Sequence, residues 1–135
     1  MPPRSARNLL VAASALHIIA YLQAVPAHLR DMGWPAHARF HVFQALLWIV
    51  GLDLVLLLVA LYPYARGERW AFGALLVGLF TSHLGYFLAM FVISGGAPPD
   101  LQAHVGLGVI LAIYVLGLLL GERGRTSPGL KPTAE

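Results

Sequence analysis

An all-α integral membrane protein, a four-helix bundle with both termini in the cytoplasm, is the fold class this sequence predicts, and three observations carry it. Of the 135 residues, 59% are hydrophobic and 11% charged, against roughly 25% charged in ordinary soluble domains; the mean hydropathy is +0.74. Apolar runs at residues 9–25, 40–62, 70–94 and 101–121 alternate with short polar or Gly/Pro-rich stretches. Each run approaches or exceeds the roughly 20 residues that a helix needs to cross the hydrocarbon core. Arg4, Arg7, Arg66, Arg69, Arg123, Arg125 and Lys131 fall at one end of such a bundle and only Arg30 and Arg39 at the other, which sets the first end in the cytoplasm.

Residues 1–121 therefore read as one four-span domain of the inner (plasma) membrane, and 122–135 as a disordered cytoplasmic tail. The chain has no cysteine, which removes disulfides, thiolate metal sites, iron–sulfur clusters and thiol catalysis. Its formal charge of +3 is explained by membrane orientation, and no nucleic-acid partner is expected. Neither a P-loop nor a GxGxxG turn is present.

The first segment, 9–25, follows Arg4 and Arg7 and ends at Pro26. A cleaved signal peptide is the alternative, but His17, Tyr21 and Gln23 interrupt its apolar stretch, so a retained span is preferred. Residues 27–38 form an outward connection holding His28, Arg30, Asp31, Trp34 and His37. Pro35 suits the first turn of the next helix, whose apolar span, 40–62, is interrupted only by Asp53. Pro63, Gly67 and the Arg66/Glu68/Arg69 cluster make a short inward turn. The third span, 70–94, lacks charge and stops at Ser94-Gly95-Gly96-Ala97-Pro98-Pro99; the fourth lies between Asp100 and Glu122.

Depth sorts the polar residues into two groups. At about 1.5 Å per residue from the cytoplasmic ends of the apolar runs, His17 lies roughly 12 Å in, Asp53 roughly 13 Å and Tyr114 roughly 10 Å. A lone carboxylate in hydrocarbon is costly, and His17 is the basic side chain at its depth. A His17–Asp53 contact is therefore expected, either as a clamp between the first two spans or as a proton relay or acid/base pair. His83 lies deeper, beside Tyr86, and reads as a hydrogen-bonded core histidine or, more sharply, as a haem or quinone ligand. His17, roughly 7 Å shallower on this count, makes a bis-histidine haem the weaker form. Asp53, His17 and His83 are the candidate catalytic residues.

The second group faces outward. His37 and His41 stand one helical turn apart, a spacing that lets two imidazoles meet one ion, and His104 enters the fourth span at the level of His41. His37, His41 and His104, completed by Asp100 or His28, form the expected metal site, suited to zinc, copper or iron. The competing reading is an interfacial belt of Trp, His and Arg that anchors a span. Gly117 and Gly121 form a GxxxG pair, for packing within the bundle or for a homo-oligomer or partner helix.

The run Trp34-Pro35-Ala36-His37-Ala38-Arg39-Phe40-His41, followed by Val42-Phe43-Gln44 and a span, resembles a motif of small four-span bacterial membrane proteins, and the layout is similar to that of DoxX-like proteins. The resemblance covers the whole bundle and implies its fold; those groups have no settled activity, so it transfers no catalytic role.

The expected function is a membrane protein whose histidine-rich outward pocket binds a metal or a small apolar ligand, a lipid or quinone, among membrane lipids. An integral membrane enzyme acting on a lipid or isoprenoid by acid/base chemistry is the alternative, and an accessory subunit without its own site is the third.

Overall fold

The computed structural model describes residues 1–92 and 101–126, and among them every regular element is helical. Among the described residues three helices are long and apolar enough to cross a membrane: Arg4–Arg30, Ala36–Tyr64 and Leu101–Arg125.

Helix α1 (Arg4–Arg30) exceeds its apolar run at both ends and carries Pro26 inside it. Proline costs the ladder one donor, and here the backbone stays helical past it. The stop comes at Asp31, whose carboxylate accepts from the Gly33 N–H at 2.8 Å and diverts the chain into a turn. Helix α2 (Ala36–Val59) starts directly after Pro35, whose carbonyl accepts from the Arg39 N–H at 3.1 Å.

Pro63 does not end the second span either. A π-helical turn, Ala60–Tyr64, carries the helix through it, and such a widened turn relieves the ring of its clash with the preceding carbonyls. Reversal comes at Gly67, whose φ of +80° demands glycine. Glu68 braces this turn, accepting from Arg66 Nε at 3.0 Å and Trp70 Nε1 at 2.6 Å.

The expected third span, 70–94, is divided within its described part. Helix α3 (Arg69–Gly78) leads into a second π-helical turn, Leu79–His83, and α4 (Gly85–Val92) follows. The wide turn falls on Thr81-Ser82-His83: Thr81 donates its hydroxyl back to the Val77 carbonyl at 3.0 Å, and the Leu84 N–H reaches the Leu79 carbonyl at 2.8 Å. Side-chain back-bonding of this kind opens and bends a helix. The expected Ser94–Pro99 stop lies outside the described residues.

Helix α5 (Leu101–Thr126) also outruns its apolar segment. Glu122 to Thr126, expected as part of a disordered tail, are helical; residues 127–135 lie outside the described residues. Arg125 extends this end by lying 4.7 Å over the Phe72 ring and 3.8 Å from Glu122.

Helix α1 packs on α2 and α5; α2 also meets α3, and α5 meets α3 and its wide turn. The core joins Leu10 and Ala13 of α1, Leu56, Val59, Ala60 and Tyr64 at the end of the second span, Ala71 and Leu75 of α3, and Ile110, Tyr114 and Leu118 of α5. Glycine makes the close approaches possible. A Cβ at Gly117 would lie 2.9 Å from Leu10 Cγ, one at Gly121 would overlap the Tyr64 hydroxyl, and one at Gly78 would overlap Leu56. The GxxxG face is thus occupied within the chain.

Candidate functional site: a buried histidine–aspartate centre

At the upper edge of that core, polar side chains from three segments meet. Asp53 of α2 is fully buried and His17 of α1 is 2% exposed. His17 Nδ1 lies 2.6 Å from Asp53 Oδ2, and the Ser82 hydroxyl donates to Asp53 Oδ1 at 2.7 Å. Both carboxylate oxygens are therefore satisfied, the condition for keeping an acid in an apolar interior. The expected His17–Asp53 contact is present. Ser82 also approaches His17 Nδ1 at 3.4 Å, so hydroxyl, imidazole and carboxylate form one cluster.

His83, adjacent in sequence to Ser82, completes the group. Its ring centroid lies 4.5 Å from that of His17 and 4.1 Å from that of Tyr114. The Tyr114 hydroxyl donates to the Leu75 carbonyl at 2.8 Å, which fixes the ring against α3. Tyr21, one turn along α1, meets His17 edge-on at 4.8 Å. His83 is 2% exposed, yet neither ring nitrogen has a hydrogen-bond partner. A neutral imidazole always carries one N–H and one lone pair, so this ring holds a buried donor and acceptor with nothing to meet. Ser14, one turn below His17 and fully buried, has an unpartnered hydroxyl as well.

The depth count that separated His83 from His17 needs correction. Hydropathy placed the start of the first span at 9, whereas α1 starts at Arg4. Counted from the true helix ends, His17 stands about 20 Å from Arg4, His83 about 21 Å from Arg69, Asp53 about 17 Å from Tyr64 and Tyr114 about 17 Å from Arg125. One layer results. Ser82 was missed because serine leaves no mark in a hydropathy profile; the polar triplet Thr81-Ser82-His83 in an uncharged run was its signal.

His17, Asp53 and His83 each offer one ligand atom, all within 4.8 Å of one another, and they are the one set of three or more His, Asp or Glu found so grouped among the described residues. A tetrahedral ion bound at about 2.0–2.1 Å holds its donors roughly 3.4 Å apart, so binding asks side-chain shifts of at most about 1.4 Å at the widest separation and a loosening of the 2.6 Å His17–Asp53 contact. Chemically the arrangement suits a transition metal. It equally forms a carboxylate–imidazole unit in which Asp53 fixes the proton on His17 Nδ1 and leaves Nε2 with its lone pair.

The outward residues are arranged differently. His37 Nε2 and His41 Nε2 are 3.1 Å apart on the exposed first turns of α2, and Gln44 Oε1 lies 3.4 Å from His41 Nδ1. His104 does not join them as a third donor. It stands at the start of α5 beside Phe87 and Tyr86, with ring centroids at 5.3 and 6.0 Å. The reason is helix order: α5 packs on α1 and the third segment rather than on the start of α2. His28 stacks with Trp34 at 5.4 Å, and Asp100 lies outside the described residues. Compared with known proteins, the chain matches no family model, no curated protein and no solved structure.

Proposed function

We propose that this chain is a four-helix integral protein of the inner membrane, both termini cytoplasmic, that binds a transition-metal ion (zinc, copper or iron) at His17, Asp53 and His83. The observation that carries the reading is His83: a buried imidazole with both nitrogens unpartnered, in a group whose donor atoms lie within 4.8 Å of one another. Two imidazoles and a carboxylate form the donor set of many catalytic zinc and non-haem iron centres, which keep a further position open. The DoxX-like layout is consistent with the bundle and adds nothing to the site.

Elemental analysis of protein purified in detergent without chelator tests this. One ion per chain is expected at the centre, lost in His83→Ala and retained in His41→Ala. No ion at this centre after adding zinc, copper or iron overturns the reading.

A second reading is acid/base chemistry on a lipid or isoprenoid, or the binding of a quinone, and the short His17–Asp53 contact favours it. A carboxylate-held imidazole is a general base protected from water. Metal-free protein whose thermal stability rises with an added quinone or lipid, and does so only when His83 is present, would replace the first reading with this one.

The orientation has its own test, made clean by the absence of native cysteine. A membrane-impermeant maleimide is expected to label Gly33→Cys in intact cells and Arg66→Cys only after permeabilisation. Labelling in the reverse order overturns the orientation.

A further inference from the structure

We infer that the exposed turn His37–Gln44 of α2 is a second cation site, separate from the buried centre, at which His37 Nε2 and His41 Nε2 chelate one borderline divalent ion such as Cu²⁺ or Zn²⁺. The two nitrogens lie 3.1 Å apart and the rings are perpendicular, with centroids at 4.4 Å. An ion bound at about 2.0–2.1 Å separates two imidazole nitrogens by roughly 3.4 Å in tetrahedral geometry and roughly 2.9 Å at a right angle. The observed spacing lies between these values, so neither helix nor rotamer has to change substantially.

Protons on the pair are organised for this exchange. Gln44 Oε1 is an acceptor only, so its contact with His41 Nδ1 places that ring's hydrogen on Nδ1 and leaves Nε2 bare. The contact across the pair at 3.1 Å is then a hydrogen bond donated by His37 Nε2 to His41 Nε2. Shifting the proton of the exposed His37 ring to Nδ1 frees both Nε2 atoms for the ion. A hydrogen bond to the rear nitrogen of a ligating imidazole is the usual device for fixing its tautomer.

The two ligands leave the other coordination positions to water or to an outside donor, since both histidines are exposed. This makes the site exchangeable, in contrast to the enclosed centre of His17, Asp53 and His83. Arg39, on the same turn, is held away by donating to the Met32 sulfur at 3.1 Å.

Titration of the full chain in detergent with Cu²⁺, read by electron paramagnetic resonance, tests the inference. With the buried centre removed by His83→Ala, a Cu²⁺ spectrum with coupling to two imidazole nitrogens is expected to remain, and to be lost when His37→Ala or His41→Ala is added. Gln44→Leu, which keeps the side-chain bulk without the acceptor, is expected to weaken Cu²⁺ about tenfold or more, the range for losing such a support. A Cu²⁺ signal indifferent to both outer substitutions overturns the second site, even if a signal lost in His83→Ala upholds the buried one. A signal lost in His41→Ala alone supports the pair only if His37→Ala also weakens it at least tenfold; otherwise the chelate is refuted.

Discussion

The end of the molecule that carries Arg4, Arg69 and Arg125 and the opposite end use the same chain segments and pack them in different ways. At the first end, Ala6, Leu10, Ala13, Leu56, Ala60, Tyr64, Ala71 and Leu75 are buried; in the first half of α2, Leu46 alone is. Small residues explain the difference. Lipid is as apolar as leucine, so helices in a bilayer associate through close packing and polar contacts rather than through the hydrophobic effect. Ala6, Ala13, Ala60, Ala71, Gly78, Gly117 and Gly121 supply the closeness at one end. At the other, Phe40, Phe43, Leu47 and Trp48 stand outward, 49–68% exposed. The histidine–aspartate centre lies where the packed half stops, which gives it rigid support on one side and looser helices on the other.

The largest expected effect breaks the centre itself, and it is asymmetric. His17→Ala leaves the Asp53 carboxylate with Ser82 as its one remaining partner in an apolar interior. Orphaning a buried charge in this way costs about 3–5 kcal/mol. Asp53→Asn leaves a neutral imidazole facing a neutral amide and is expected to cost about 1–3 kcal/mol. The double variant His17→Ala/Asp53→Ala should be more stable than His17→Ala alone, because it removes the orphaned charge as well. Reversible unfolding in mixed micelles measures all three; equal losses for the two single variants would mean that Asp53 is protonated and the pair carries no charge.

How much of this was legible depends on what hydropathy measures. It reports where lipid-like residues run, so the apolar stretches were visible. It does not report where helices end: Arg4 and Arg30 are polar and helical, as are Arg123 and Arg125. The His17–Asp53 contact was legible because an acid in hydrocarbon must find a partner, and one basic residue shared its depth. His83 was set apart from His17 because the count along the first span began at 9, five residues past the true start of α1. His104 was grouped with His37 and His41 because level alone was known; which helices are neighbours is decided by packing among segments distant in sequence, and no spacing encodes it.

Glycine substitutions sharpen the contrast between the two ends, with a change of sign. Gly121→Ala puts a methyl into the Tyr64 hydroxyl, and overpacking of this kind costs about 1–3 kcal/mol. Gly106, in the outer half of the same helix, has nothing within 4 Å of its Cβ position. There Ala should leave stability unchanged or raise it by up to about 1 kcal/mol through helix propensity. The same micelle unfolding decides it. Equal destabilisation at both positions would mean that the outer half also closes tightly.

The smallest expected effect concerns the outer histidines. His41 is exposed, and its hydrogen bonds with His37 and Gln44 lie within its own helix, so His41→Ala removes no hydrogen bond between helices among the described residues. Its cost should stay within about 0.5 kcal/mol, as for surface positions generally, in metal-free protein. With Cu²⁺ present the wild type should gain stability over the variant as the ion's concentration rises, because an ion bound only by the native helix shifts unfolding by mass action. A large loss in metal-free His41→Ala would make the pair part of the packing and erase the division between a rigid inner centre and an exchangeable outer one. A loss confined to the metal-bound form would instead assign the outer histidines to ligand binding alone, leaving the stability of the bundle to His17, Asp53 and the small residues beneath them.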